Sequence, residues 1–187
     1  RLGMRTATGD AEGECIYEAS PEDVARVTTA RLADVLNQFR GEIEQVPPMY
    51  SALKHAGQRL YTLARRGIEV ERKARAVRID TLTLRTVALP EFTLEVECSK
   101  GTYIRTLVED IGEALGCGAY VVSLRRTVIH GFPDDELVTL DDLERLADDR
   151  EALDQLLRPL DVALMHLPEV ELDRDSSFYL CQGQAVR

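Results

Sequence analysis

The residue types best suited to chemistry stand close together in Cys98-Ser99-Lys100-Gly101-Thr102-Tyr103-Ile104-Arg105. A Ser-Lys-Gly turn opening into a helix aims backbone N–H groups and the positive end of the helix dipole outward, and an anionic group fits there beside Lys100. Arg105 falls in the first turn of that helix, off its apolar stripe. A cation opposes the dipole at that point, so an acidic partner is expected. The plain alternative is a surface arginine paired with any nearby carboxylate. Tyr103 is open to two readings, a ligand contact or an aromatic at the edge of the core.

These residues are positioned by two well-signalled elements. Phe92, Leu94, Val96 and Cys98 alternate with Thr93, Glu95 and Glu97, the period of a strand with one buried face. Ile104, Leu107, Val108, Ile111 and Leu115 follow at helical spacing, with Thr102 as the expected N-cap and Gly116 as the terminator. Val77, Ile79, Leu82 and Leu84 predict a strand whose phase slips at Asp80-Thr81, as a bulge makes it do, and a hairpin across Val87 to Glu91 joins it to the next. A third strand is expected within Gly118 to Ile129, where Tyr120, Val122 and Leu124 share one side.

Earlier in the chain, Leu2 to Gly13 reads as a strand end and a glycine-punctuated loop, and Glu14 to Ala19 as a short strand. Ser20-Pro21 caps a brief helix, and a longer helix from Thr29 presents Leu32, Val35, Leu36 and Phe39 before Gly41 ends it. Asp10, Glu12, Glu14, Glu22 and Asp23 are read as loop and cap residues. Strands and helices in this order predict an α+β fold with a mixed, largely antiparallel sheet flanked by helices.

The chain has 187 residues, enough for one sizeable core, and is 44% hydrophobic and 30% charged. No apolar run approaches a membrane span and no signal-peptide pattern opens it, which predicts a cytoplasmic protein. It begins Arg1-Leu2-Gly3 with no initiator methionine and reads as a fragment or a trimmed product. Cys15, Cys98, Cys117 and Cys181 form no C-x-x-C pair, and His55, His130 and His166 are scattered, so neither a metal site nor a disulfide framework is expected.

The net charge of −10 argues against nucleic acid only until its distribution is examined. From Ser51 to Ile79 eight basic residues face two acidic ones, whereas from Asp134 to Asp175 fifteen acidic residues outnumber four basic ones. A phosphate backbone responds to the local field within about 8–10 Å. The basic segment begins after Pro47-Pro48, where helix is forbidden, and includes a short helix ending at Gly67. Lys54, His55, Arg59 and Arg65 interleave with Tyr50 and Tyr61, a mixture that meets phosphates and stacks on bases. A solvated helix face gives the same composition. Beyond Pro133, Thr139-Leu140-Asp141-Asp142 resembles a capped helix start, and Leu153, Leu156, Leu157 and Leu160 build another helix.

Several separated motifs resemble one family, the bacterial tRNA pseudouridine synthase B (TruB) family. They are Cys98 through Leu107, Gln45-Val46-Pro47-Pro48-Met49-Tyr50-Ser51-Ala52-Leu53-Lys54, Leu124-Arg125-Arg126-Thr127, Leu2-Gly3 through Gly13, and Leu60-Tyr61 through Ile68. The resemblance implies the pseudouridine synthase fold, in part, over residues 1–165, with 45–75 as an inserted RNA-binding thumb and 166–187 as the start of a truncated C-terminal RNA-binding domain. It implies isomerisation of a T-arm uridine of tRNA, uridine 55, to pseudouridine, with no cofactor and no metal. The partner is the tRNA T-arm; no protein partner is implied, and a monomer is expected. The target base must leave its stack before the reaction.

Carried over by motif, Arg105 pairs with the nucleophilic aspartate, Tyr103 lines the base pocket and Leu124 packs against it. Lys54, His55, Arg59, Arg65, Lys100 and Arg125 make up the RNA-contacting set. The family's nucleophile lies in a Gly-x-Leu-Asp-Pro type motif upstream of the Leu-Gly segment, and no aspartate here sits in one, Asp10 and Asp110 included. The isolated chain is therefore expected to be inactive. A non-catalytic tRNA-binding or RNA-folding module is the alternative. A guide-RNA-dependent synthase is a third reading, disfavoured by the length of the segment from Tyr50 to Arg75.

Overall fold

A computed structural model describes residues 1–129, 137–165 and 167–186. His130 and His166 lie outside them. The chain divides into two compact units, Arg1–Leu124 and Arg125–Arg187.

The first unit is built on a three-stranded antiparallel sheet. Strands β1 (Met4–Thr6) and β2 (Cys15–Glu18) pair as a ribbon, α1 (Pro21–Ala25) and α2 (Thr29–Asn37) follow, and β3 (Gly41–Gln45) enters the main sheet. A small hairpin of β4 (Lys54–His55) and β5 (Gln58–Arg59) leads into α3 (Leu60–Ala64). The long strand β6 (Arg75–Ala88), β7 (Glu91–Cys98) and α4 (Ile104–Leu115) complete the unit, and the sheet order is β3-β6-β7. All named strand pairs are antiparallel; among the described residues the one parallel pairing is a single bridge between Asp10 and Val121.

Helices α2 and α4 bury their apolar faces against the sheet. Leu32, Val35 and Leu36 from α2, Ile79 and Leu82 from β6, and Leu107, Ile111 and Leu115 from α4 make one cluster with Leu2, Val27 and Cys117. Each such aliphatic side chain contributes about 1.5–3 kcal/mol by leaving water. The exposed end of α4 is finished by Gly116 at φ +79°, and the Arg31 guanidinium donates to the Leu115 carbonyl at 3.1 Å, where a cation complements the dipole. Gly112 lets the helix lie directly on Gly118-Ala119; a Cβ there would stand 2.2 Å from the Ala119 nitrogen.

The expected β6–β7 hairpin forms, with register shifts at Ile79/Thr81, where the phase slip predicted a bulge, and again at Leu84/Thr86. Ser20 caps α1 as expected, accepting from the Asp23 N–H at 3.1 Å. Three local expectations fail. Gly41 does not end α2, which stops at Asn37; its φ of +82° instead turns the chain into β3, a short strand with a single apolar residue, Ile43, to mark its inner face. Thr102 is not the N-cap of α4, because its hydroxyl donates back to the Ser99 carbonyl at 2.9 Å, and Tyr103 takes that position. The third strand reduces to bridges at Ala119 and Val121, since beyond Leu2 and Asp10 no neighbour offers a ladder, and Val122 to Ile129 run exposed.

In the second unit, Thr139 opens α5 (Leu140–Arg145) with the expected capping box closed by Asp142. Helix α6 (Arg150–Gln155), a 3₁₀ turn over Leu160–Leu164 and α7 (Arg174–Cys181) follow. Among the described residues no helix is long and apolar enough to cross a membrane.

Candidate active site

Arg105, in the first turn of α4, turns its guanidinium across the start of the helix toward two loops. Nη1 donates to Asp10 Oδ2 at 2.9 Å and to the Thr8 carbonyl at 3.0 Å, and Nη2 donates to the Tyr50 carbonyl at 2.9 Å. The Arg105 and Asp10 side chains are 28% and 27% exposed. The acidic partner demanded by a cation at a helix N-terminus is thus Asp10, a residue that its glycine-rich surroundings make look like a loop carboxylate.

Asp10 is also what holds its own turn together. Its Oδ1 accepts from the Thr8 hydroxyl at 2.5 Å and from the Glu12 N–H at 3.2 Å, and its carbonyl accepts from the Thr6 hydroxyl at 2.6 Å. Burial by itself would raise the Asp10 pKa; the hydrogen bonds from Thr8 and Glu12 and the Arg105 charge outweigh it and hold the carboxyl below the ordinary value. Gly9 lets this turn press onto α4, since a Cβ there would lie 3.2 Å from the Glu109 carboxyl carbon and 3.3 Å from Arg105 Cβ, and its φ is +74°. The Val121 N–H, donating to the Gly9 carbonyl at 3.0 Å, pins the turn from the other side.

Tyr103 is half-buried, and its peptide is gripped by the side chain of Gln45, which no motif of reactive residues singled out. Leu124 is 63% exposed at the end of the first unit, and Lys100 is exposed in the turn before α4, where Gly101 has φ +86°. Arg125 is exposed and belongs to the second unit.

The remaining basic residues gather between Gln45 and Arg75. Lys54 sits directly opposite Arg59 across the β4–β5 hairpin, and His55 opposite Gln58, all exposed. The guanidiniums of Arg59 and Arg65 both lie over the Tyr61 ring, 5.9 Å and 5.6 Å from its centre, and Arg59 also donates to the Tyr61 hydroxyl at 3.3 Å. That hydroxyl's pKa is lowered chiefly by this hydrogen bond. Beside the hairpin is a cavity of about 380 Å³ whose lining includes Pro47, Leu53 and Leu60 together with Lys54, Arg72, Arg75 and one acid, Glu71. Among the described residues no three His, Cys, Asp or Glu side chains converge as a metal site requires.

Comparison with known proteins gives the family. The model of the TruB family pseudouridylate synthase N-terminal domain matches residues 1–104, and that of the tRNA pseudouridylate synthase B C-terminal domain matches residues 105–165. The chain is 53% identical over 188 residues to tRNA pseudouridine synthase B of Nitrosococcus oceani and 52% identical over 191 residues to that of Pseudomonas aeruginosa. Both alignments cover all of this chain and about 60% of the relative's length (60% and 61%). Among solved structures it is similar to a chain of a Cbf5-Nop10-Gar1 complex, with a TM-score of 0.64 and 28% identity over 84% of this chain and 45% of that one. A chain of an H/ACA ribonucleoprotein bound to a substrate RNA gives a TM-score of 0.59 at 25% identity, over 85% of this chain and 44% of that one. With its matched segments covering the Asp10 turn, the basic excursion and the Arg105 helix, the chain belongs to the TruB family of pseudouridine synthases.

Proposed function

We propose that this chain is the greater part of a cytoplasmic tRNA pseudouridine synthase that acts as a monomer on the T-arm and isomerises uridine 55. In that reaction the C–N glycosidic bond breaks, the detached base turns, and a C–C bond to the ribose forms. The observation that carries the reading is the fixed Arg105 guanidinium. Its three hydrogen bonds use three of five N–H donors, which leaves two for a carboxylate brought from elsewhere. A guanidinium in contact keeps such a carboxylate ionised, as a nucleophile must be.

In this reading Asp10 is not that nucleophile, because it sits in no Gly-x-Leu-Asp-Pro type motif and its Oδ1 is taken up in its own turn. Its role is to hold Arg105. Tyr103 and Leu124 line the place of the extruded base in this reading, within a catalytic domain spanning residues 1–165, and 166–187 open a second RNA-binding domain. Residues 45–75 grip the T-arm. Lys54 and Arg59 are like charges directly opposite on two strands, a pairing that costs energy without an anion between or beside them. His55, Arg65 and Lys100 extend the same contact, and Arg125 contributes an RNA contact from its own unit.

The 187-residue chain alone should bind a T-arm stem-loop and leave its uridine unchanged. The test is nucleoside chromatography of the digested RNA after incubation with this chain and, in parallel, with a parent protein that carries a Gly-x-Leu-Asp-Pro segment. Conversion by the parent alone is expected. Pseudouridine from the isolated chain would move the nucleophile into it, and a parent that binds tRNA without converting it would make the RNA-binding module the function.

A further inference from the structure

Gln45 occupies a junction that the reactive residues themselves do not reveal. It is the last residue of β3, and its main chain stands in register with Arg75, the first residue of β6. The whole basic excursion therefore leaves the sheet and returns to it through this one pair. The residue is 2% exposed. Its Oε1 accepts from the Tyr103 N–H at 3.0 Å, and its Nε2 donates to the Tyr103 carbonyl at 3.4 Å, so the side-chain amide matches both polar groups of one residue 58 positions away.

What the amide grips is the start of α4. Tyr103 is the N-cap, and the same Tyr103 carbonyl receives the Leu107 N–H at 3.0 Å in the first helical hydrogen bond. Two residues further on, Arg105 reaches back to the Tyr50 carbonyl, five residues after Gln45. The segment 45–50 is thus held to 103–105 at both of its ends, with Pro47-Pro48 stiffening the stretch between. The Arg72 guanidinium adds a further tie to the excursion's neck, donating to the Pro47 carbonyl at 3.3 Å. A primary amide hidden at the end of a strand is costly unless it is bonded at both ends, and an aliphatic residue would fill the space without that risk. Bonding at both ends is what fixes a peptide's position, which an aliphatic side chain cannot do.

We propose that Gln45 is a positioning residue of the pseudouridylation reaction, a clasp through which the neck of the 45–75 excursion sets where Tyr103 and Arg105 stand against the extruded base. The inference rests on the functional reading above. RNA gripped by the excursion is thereby registered against the guanidinium, because the strand end that anchors the grip also anchors the helix that carries Arg105.

The test uses the complete enzyme with Gln45→Met, which keeps the volume and removes both hydrogen bonds, and Gln45→Glu. For Gln45→Met the single-turnover rate on tRNA should fall about 10- to 100-fold while the tRNA Kd stays within about twofold, as expected when geometry is lost and phosphate contacts are kept. For Gln45→Glu the rate relative to wild type should climb as pH is lowered, because a protonated carboxyl donates to the Tyr103 carbonyl while accepting from its N–H, and a carboxylate cannot. A flat ratio across pH, an unchanged rate in the Met variant, or a rate that falls only in proportion to tRNA affinity or to the folded fraction would overturn the proposal. Should wild-type enzyme convert no uridine, it is the functional reading that falls. The clasp is then judged by hydrogen exchange at the Tyr103 amide, slow in wild type and fast in Gln45→Met if it holds, equal in both if it does not.

Discussion

Two regions of this molecule collect cations and use them in opposite ways. At the start of α4, Arg105 is surrounded by acceptors from its own chain, two main-chain carbonyls and the Asp10 carboxylate, all within 3.0 Å. In the hairpin and helix from Lys54 to Arg65, cations stand beside other cations, Lys54 opposite Arg59 and two guanidiniums over one tyrosine ring. That stretch contains no acid, and of the two that follow it before Ile79, Glu69 is already paired with Arg72 at 3.0 Å. A charge whose partners are built into the chain sets geometry. A charge whose neighbour repels it is waiting for something the chain does not contain, and a phosphate backbone supplies it.

The largest effect should come from removing the internally satisfied cation. Arg105→Met takes a donor from three acceptors at once and leaves the partly buried Asp10 carboxylate without its charge partner, so the 187-residue chain should lose about 2–3 kcal/mol of stability in urea unfolding. Arg105→Lys should recover only part of this, because an ammonium cannot hold that fan of acceptors in a plane. Stability within about 0.5 kcal/mol of wild type for Arg105→Met would erase the distinction between the two regions.

How much of this was visible in the sequence follows from the range of the interactions involved. The β7 strand and α4 announce themselves by period, and the need for an acid beside Arg105 follows from its place in the dipole, because both are local effects. The identity of that acid does not, since Asp10 meets Arg105 across 95 positions and looks from its neighbours like a turn residue, which it also is. The family resemblance was legible in five motifs, and the matched relatives agree with it. Strand β3 was missed because Glu42 and Glu44 alternate with a single apolar Ile43, and its pairing with β6 is long-range. The strand expected after Gly118 failed for the converse reason, as alternation is necessary for a strand and a hydrogen-bonding neighbour is too. Gln45 shows in the sequence only as the first residue of a family motif, because the peptide its side chain holds lies 58 positions away.

A middle-sized effect should come from the exposed cations, and it should appear in binding with stability unchanged. Lys54→Ala and Arg59→Ala in the full-length parent should each weaken tRNA binding and reduce the slope of log K against log salt by about one, if each side chain neutralises one phosphate. Thermal unfolding of the 187-residue chain should move by no more than about 1 °C, since both side chains are exposed and repel each other. A loss of stability comparable to that of Arg105→Met would show that these cations, Arg59 through its contacts with Tyr61 included, hold the fold as Arg105 does.

The smallest effect tests whether the Arg105 region is satisfied throughout. Glu109, one turn beyond Arg105, packs its carboxyl against Gly9 and makes no hydrogen bond or ion pair among the described residues. Burial raises its pKa most, the charges of Asp110 and Asp10 add to the rise, and those of Arg5 and Arg105 oppose it without cancelling it. For an acid whose folded pKa is raised, ionisation costs stability: the cost is absent below the unfolded value of 4.5, grows as pH rises through the interval up to the folded value, and is fully present above it. Glu109→Gln, which resembles the protonated acid, should therefore raise the Tm at pH 7 by about 1 °C, a figure kept small because the group is only half removed from solvent. Below pH 4.5 the variant and wild type should converge. If the Gln variant is instead less stable at pH 7, Glu109 is a working partner of Arg5 or Arg105, and the site draws on a second internal acid beside Asp10.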